Sequence, residues 1–514
     1  MTQNERISLP LWKKIILLIL TIFIFWIQIS LFVLMFQINF YNGLNTFVYV
    51  LIEVFSLLIA IHIIHKPILT SYKLTWAILI LILPLPFAFL YYLNQRGRRL
   101  PRRKQIQIDS LMKKNKVDNN LIKQLEKVDS KGAKYAKIIN FGTGSNLYNN
   151  TKYTFLNDGY VKFLDLIEEL KKAESYIFIE SFIIAEGYLL NTLLPILEEK
   201  GKSGVEIKII YDDLGSKATL KPTTIKKITN IPNCQITNYN PLGLNINPAF
   251  NYRNHRKIII IDGKTAYCGG DNLADEYIHK KERFGFWRDN CGKFEGDAVA
   301  SFLALFIETW FMSTKEILNV KNYIKENSII NEHSYVMPFG DGPSDSNDTG
   351  YEIFKTMVTS AEKTLYISTP YLVIDDAMIQ AIVLAAKSGV DVRILMPGIP
   401  DKKSAFYLAR YYYRDILKAG GKIYEFSKGF NHAKNIIIDN KYAFIGTINM
   451  DYRSMFLHYE CGAIVMLDEQ IKLMQKDFLE ACSESEQVEY DKWKKRPWYQ
   501  KLIAYILYLF APMF

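Results

Sequence analysis

The chain has 514 residues, 49% hydrophobic and 22% charged, a folded composition that excludes disorder and fibrous repeats. Its net charge is +11, of which +9 lies in residues 1–104, where eleven basic side chains face only Glu5 and Glu53. The near-neutral remainder is unlike a body that tracks a polyanion, since phosphate neutralisation supplies most nucleic-acid affinity, so no nucleic-acid partner is expected.

The first elements are apolar. No charged residue occurs in the 38 positions between Lys14 and Glu53, or in the 22 between Lys73 and Arg96. Crossing the hydrocarbon takes about 20 apolar residues. Spans are therefore expected near 15–36, 45–64 and 74–93, the second interrupted by Glu53, so that two or three helices cross. The first run is too long for a signal-peptide core. Six basic residues in Arg96–Lys104 follow, and such clusters stay on the cytoplasmic side beside anionic lipid. A multi-pass protein of the cell membrane with a cytoplasmic body is expected.

That body repeats itself about 180 residues apart. Ala173-Glu-Ser-Tyr-Ile-Phe-Ile-Glu180 is matched by Ala361-Glu-Lys-Thr-Leu-Tyr-Ile-Ser368, and Lys202-Ser-Gly-Val205 by Lys387-Ser-Gly-Val390. Strand, helix, glycine turn, strand describes a βαβ unit, and the apolar strands imply an α/β fold with a mainly parallel, covered sheet. Each half then carries His255-Arg-Lys257 or His432-Ala-Lys434. In both, an aspartate follows the histidine at +7 (Asp262, Asp439), a glycine at +14 and an asparagine at +17 (Asn272, Asn449). Positions i and i+2 of a strand share a face, so each pair presents an imidazole and a cation to one point, which suits phosphate. The aspartates lie at the far end of an apolar strand and are expected to organise a loop. The five cysteines form no CxxC pair and read as reduced thiols. No metal cluster is apparent and no cofactor is expected. His62 and His65 read as interface markers; His279 and His333 show no pattern. The tail, Trp493-Lys-Lys-Arg-Pro-Trp-Tyr499, leads into a 13-residue charge-free run, Leu502–Phe514, too short to span. It reads as an interfacial segment or as a helix docked on the body.

At these residues the chain resembles the phospholipase D superfamily, whose signature is H-x-K-x4-D with a downstream G-[GST]-x-N. The likeness to bacterial cardiolipin synthases is closer still, through Trp76, Pro84 and Tyr91, Asn251-Tyr-Arg-Asn-His-Arg-Lys257, Gly269-Gly-Asp-Asn-Leu-Ala-Asp275, Thr369-Pro-Tyr371, Asn449-Met-Asp-Tyr-Arg453-Ser454 and Arg496-Pro-Trp498. The resemblance implies two lobes related by a pseudo-twofold axis, each an αβα sandwich, preceded by transmembrane helices. Expected boundaries are 1–95 for the membrane region, 96–135 for a basic linker, 136–328 and 329–490 for the lobes, and 491–514 for the tail. The implied catalytic sets are His255, Lys257, Asp262 and His432, Lys434, Asp439, with His255 as nucleophile and His432 as general acid, then base; the halves are alike, so only the family precedent favours this assignment over its reverse. Asn272 and Asn449 would bind phosphate. Asp289 and Glu460, 34 and 28 residues after the histidines of their own halves, would orient them. Arg453 and Ser454 would contact phosphate or brace Asp451. The implied reaction transfers a phosphatidyl group from one phosphatidylglycerol to another, giving cardiolipin and glycerol without metal. Hydrolysis to phosphatidic acid and an inactive lipid-binding scaffold are the alternatives.

Overall fold

A computed structural model describes residues 43–66, 69–95, 119–241, 251–325, 334–345 and 347–513, with a few positions between 22 and 30. The chain divides into a small helical unit near the N-terminus and a large unit holding both repeats.

In the small unit, α1 (Gly43–Ile64) contains the one stretch among the described residues long and apolar enough to cross a membrane, Phe47–Ile64. The expected third span is instead two helices, α2 (Thr70–Ile82) and α3 (Pro84–Gln95), parted at Leu83. Pro84 drives its predecessor out of the helical region, and Leu83 has φ −136°, ψ 83°. A 13-residue helix reaches only about 20 Å. Ile63, Tyr72, Trp76, Ile80 and Tyr91 form this unit's core. Most of the expected first span and the whole Arg96–Lys104 cluster lie outside the described residues.

In the large unit two helices, α4 (Asn119–Val128) and α5 (Ser130–Thr143), precede the sheets. They pack on the second lobe: Tyr442 donates to Asp129, and Lys131 pairs with Asp439 at 3.1 Å. Residues 119–143 are thus neither linker nor first lobe, contrary to the boundary expected at 135.

The first lobe contributes β1 (Thr151–Leu156), β2 (Tyr176–Ser181), β3 (Glu206–Asp212), β4 (Cys234–Tyr239), β5 (Ile258–Ile261), β6 (Thr265–Gly269), β7 (Phe286–Arg288) and β8 (Cys291–Gly296). The second contributes β9 (Tyr335–Asp341), β10 (Thr364–Ser368), β11 (Leu372–Val373), β12 (Asp391–Pro397), β13 (Lys422–Phe426), β14 (Gly429–Asn431), β15 (Asn435–Ile438), β16 (Tyr442–Gly446), β17 (Met450–Asp451), β18 (Glu460–Met466) and β19 (Ser485–Gln487). The main sheets run β1-β8-β6-β5-β2-β3-β4 and β9-β18-β16-β15-β10-β12-β13, the second extended by β19. The shared seven-strand order is the repeat made visible.

Only β2-β3-β4 and β10-β12-β13 pair in parallel; the other main-sheet pairings are antiparallel. The expectation of mainly parallel sheets is corrected. Three residues join β5 to β6 and β15 to β16, enough for a hairpin, whereas a parallel crossover needs a dozen or more.

Successive strand residues face opposite sides. Ile258 and Ile260 enter a core built on α6 (Val299–Thr314) and α7 (Gln470–Ser483), while Ile259 and Ile261 enter the lobe's outer core with Leu166, Leu193 and Leu197. The central core takes residues from both sheets, so the lobes fold around one shared interior.

Candidate active site

β5 and β15 each begin just after a histidine and lysine, and the backbone before each strand crosses to the opposite lobe. The His255 amide donates to Tyr459 O at 2.8 Å, and the His432 amide to Arg288 O at 2.7 Å. β7 pairs in parallel with β14, and an isolated bridge joins Asn254 to Tyr459. These crossings deliver each acid to the histidine of the other half. His255 Nδ1 lies 2.9 and 3.0 Å from the two Glu460 oxygens, and His432 Nδ1 lies 2.6 Å from Asp289 Oδ2. The sequence reading coupled each acid to its own half. The correction follows from strand geometry, because β7 pairs with β14 of the other lobe and Tyr459, just before β18, bridges Asn254.

All four groups are buried, with His255 at 7% and His432 at 8% exposure, which leaves a narrow opening for a reactant. Lys257 Nζ donates to His255 O at 2.6 Å. Lys434 Nζ donates to His432 O and stands 2.8 Å from His432 Nδ1. Burial pushes the Lys257 ammonium down to about 8 and that of Lys434 to about 7. Burial, then the two lysines, drives both histidines well below their ordinary range. Burial pushes Asp289 up to about 6 against the pull of Lys434.

The motif's small residues make room for this. A Cβ on Gly270 would sit 2.2 Å from Asp289 Oδ1. At the matching position of the second lobe, the Thr447 hydroxyl donates to Glu460 Oε2. Arg256 is fully buried and donates to Glu460 O, Leu305 O, Glu308 and Thr309, holding the Glu460 backbone against α6.

Asp262 and Asp439 do not reach the cleft. Asp262 accepts from the amides of Glu174, Ser175 and Tyr176, and Asp439 from those of Glu362, Lys363 and Thr364. They clamp the starts of β2 and β10 from left-handed turn positions, with φ of 55° and 52°. Including them among the catalytic residues is thereby corrected. Asn272 gives its amide to the Tyr277 hydroxyl at 2.6 Å and accepts from Ile183 N, whereas Asn449 Oδ1 is buried without a partner. The Ser454 amide donates to Asp451 Oδ1 at 2.7 Å, and Arg453 Nε donates to His458 Nε2 at 3.3 Å. His279 stacks on Phe286 and bonds Asp158; His333 lies outside the described residues.

The two flanks differ. Tyr277, Trp287 and Phe430 surround His432 at ring distances of 5.5, 5.4 and 5.7 Å. His255 meets Phe182 at 5.0 Å and His458 at 5.6 Å. Trp287 and His458 each stand two residues before an orienting acid, Asp289 or Glu460. That spacing was readable, since i and i+2 share a strand face, but only the fold shows which histidine each ring meets. Ligand atoms of His255, His458 and Glu460 lie within 4.8 Å of one another, the one such trio found among the described residues. The neighbouring Lys257 and Lys434 ammoniums oppose a cation there.

Residues 166–287 and 354–482 match the family described as cardiolipin synthase, PLD-like domain. The chain is 33% identical to cardiolipin synthase 2 of Bacillus anthracis over 449 residues, covering 86% of this chain and 87% of that protein. It is 35% identical to the cardiolipin synthase of Geobacillus kaustophilus over 364 residues, covering 70% and 71%. Among solved structures, the phosphatidylserine synthase of Haemophilus influenzae Rd KW20 superposes with a TM-score of 0.56 at 16% identity, covering 74% of this chain and 98% of that one. The cross-lobe histidine cleft thus sits in a shared fold, and the chain belongs to the cardiolipin synthase family, phosphatidyltransferases of the phospholipase D superfamily.

Proposed function

We propose that the protein makes cardiolipin by transferring a phosphatidyl group from one phosphatidylglycerol to the glycerol headgroup of a second, through a phosphatidyl-histidine. The observation that carries this reading is the pair of buried imidazoles, each held at Nδ1 by a carboxylate of the opposite lobe.

Glu460 on Nδ1 leaves His255 Nε2 free, and burial keeps the ring neutral, as a nucleophile requires. His432 has the Lys434 ammonium beside Nδ1 as well as Asp289, a poorer setting for attack and a better one for passing a proton. A bound phosphodiester anion offsets the two lysines and lets His432 take up a proton. His255 Nε2 then attacks phosphorus, and His432 protonates the leaving glycerol oxygen. In the second half, His432 removes the proton from the acceptor hydroxyl, whose oxygen displaces Nε2. Lys257, Lys434, Asn272 and Asn449 stabilise the charge on the non-bridging oxygens.

The lipid substrate implies a membrane-held enzyme. α1 supports an anchor, and a multi-pass arrangement with a cytoplasmic body is the reading that the basic clusters support. The C-terminal helix, Trp498–Tyr508, packs on the helix Lys403–Lys418 through Tyr411 and Tyr508 with ring centres 4.5 Å apart. Its outer side exposes Trp498, Leu502, Tyr505 and Ile506 beside Arg496 and Lys501, as suits the interface of an anionic bilayer.

Reconstituted protein given phosphatidylglycerol alone, without divalent metal, is expected to release cardiolipin and glycerol in equal amounts. Phosphatidic acid as the main product would make it a hydrolase. Absence of turnover would leave a lipid-binding scaffold.

A further inference from the structure

The transfer reaction leaves open how a second lipid wins the intermediate from water. With His255 as nucleophile, the acceptor hydroxyl approaches from the His432 side, because an in-line displacement places entering and leaving oxygens opposite the attacked bond. The acceptor carries its own phosphodiester one glycerol away from that hydroxyl, so a cation is needed just beyond His432.

Lys402 stands there. It is exposed, it lies in the loop between β12 and the helix Lys403–Lys418, and its Nζ sits 5.5 Å from the centre of the Tyr371 ring. Tyr371 packs against the cluster of Tyr277, Trp287 and Phe430, the three rings that surround His432. The Tyr371 hydroxyl donates to Asp401 Oδ2 at 2.6 Å, which ties the loop to the ring. Lys402 has no ion-pair partner among the described residues, and its field reaches both His255 and His432 as well as Asp451.

We propose that Lys402, seated over Tyr371 at the cleft mouth, binds the phosphodiester of the acceptor lipid and so selects an anionic phospholipid over water or a neutral alcohol. This rests on the transfer reading of the preceding subsection. In the step it governs, the acceptor oxygen–phosphorus bond forms, the phosphorus–Nε2 bond of His255 breaks, and the hydroxyl proton passes to His432.

The test is the partition of the intermediate, measured as cardiolipin formed per phosphatidic acid in phosphatidylglycerol vesicles. It compares wild type, Lys402→Gln, Lys402→Arg and Arg453→Gln; Arg453 is the cation on the His255 flank. Loss of one charge-assisted contact predicts a fall of about tenfold in Lys402→Gln, recovered in Lys402→Arg. Labelled glycerol captured per phosphatidic acid should be the same in Lys402→Gln as in wild type, because neither acceptor carries a charge. An unchanged cardiolipin ratio in Lys402→Gln overturns the proposal. So does a fall confined to Arg453→Gln, which would bring the acceptor in beside His255. If wild type itself yields no cardiolipin, the transfer reading fails, and the proposal with it.

Discussion

Two lysines and two imidazoles share one cleft, and their burial sets the chemistry. Burial lowers Lys434 to about 7 and Lys257 to about 8, so both lose charge as pH rises through that range. The quantity kcat/KM, which reports the free enzyme, should therefore decline above about pH 7–8. Lys434→Arg keeps its charge and should move that decline at least about one unit upward, read from a pH–rate profile. Stability should follow the opposite sign. Between about 7 and 10.5 the unfolded chain holds a proton that folded Lys434 lacks, so raising pH favours the folded state. Lys434→Met, which removes this group, should exceed wild type in melting temperature most below pH 7 and converge with it by about pH 10. The cross-lobe acids act on different histidines. Glu460→Gln should slow formation of the phosphatidyl-histidine, whereas Asp289→Asn should slow both its formation and its resolution because His432 serves in both, each by roughly 10²–10⁴-fold, the scale of removing an orienting acid. Acid-quenched labelling over a single turnover distinguishes them: once formed, the intermediate resolves near the wild-type rate in the first variant and slowly in the second.

At the scale of elements, β5 and β15 show why the signature extends seven residues past each histidine. The aspartate at the far end clamps the neighbouring strand by accepting three amide hydrogens, so the histidine is aligned from the opposite end of the sheet. Asp262→Ala leaves those donors unpaired and should lower stability by about 2–4 kcal/mol, while turnover per folded molecule stays within about threefold of wild type. Denaturant titration and active-site-normalised rates check both parts. Glu308 supports α6 in a similar way: Glu308→Ala strands the buried Arg256 charge and should cost about 3–5 kcal/mol. The strands themselves were legible from their apolar runs, but pairing direction was not. Ile-Ile-Ile-Ile reads alike in either sense, and only the three-residue turns to β6 and β16 settle it.

At the scale of the molecule, each working histidine pair needs both lobes of one chain. His255→Ala and His432→Ala proteins co-reconstituted in one vesicle should show no recovered activity; recovery would mean that chains exchange lobes. The repeat made the two-lobed architecture readable, because matched spacings recurring in two halves place matched groups. It did not disclose that helices 119–143 fold onto the second lobe, or that the central core is common to both sheets, since such packing joins residues distant in sequence.

Local chemistry and local spacing, then, were the sequence's own contribution. The histidine–lysine pairs, their glycine and asparagine followers, the apolar strands and the basic–aromatic tail all follow from residues within about twenty positions of one another. What needed the tertiary structure was every relation across the pseudo-twofold: Glu460 on His255, Asp289 on His432, and the different rings that meet the two histidines. Spacing along a strand determines which face a side chain shows. Which neighbour it meets there is decided by how the two sheets close around a common core.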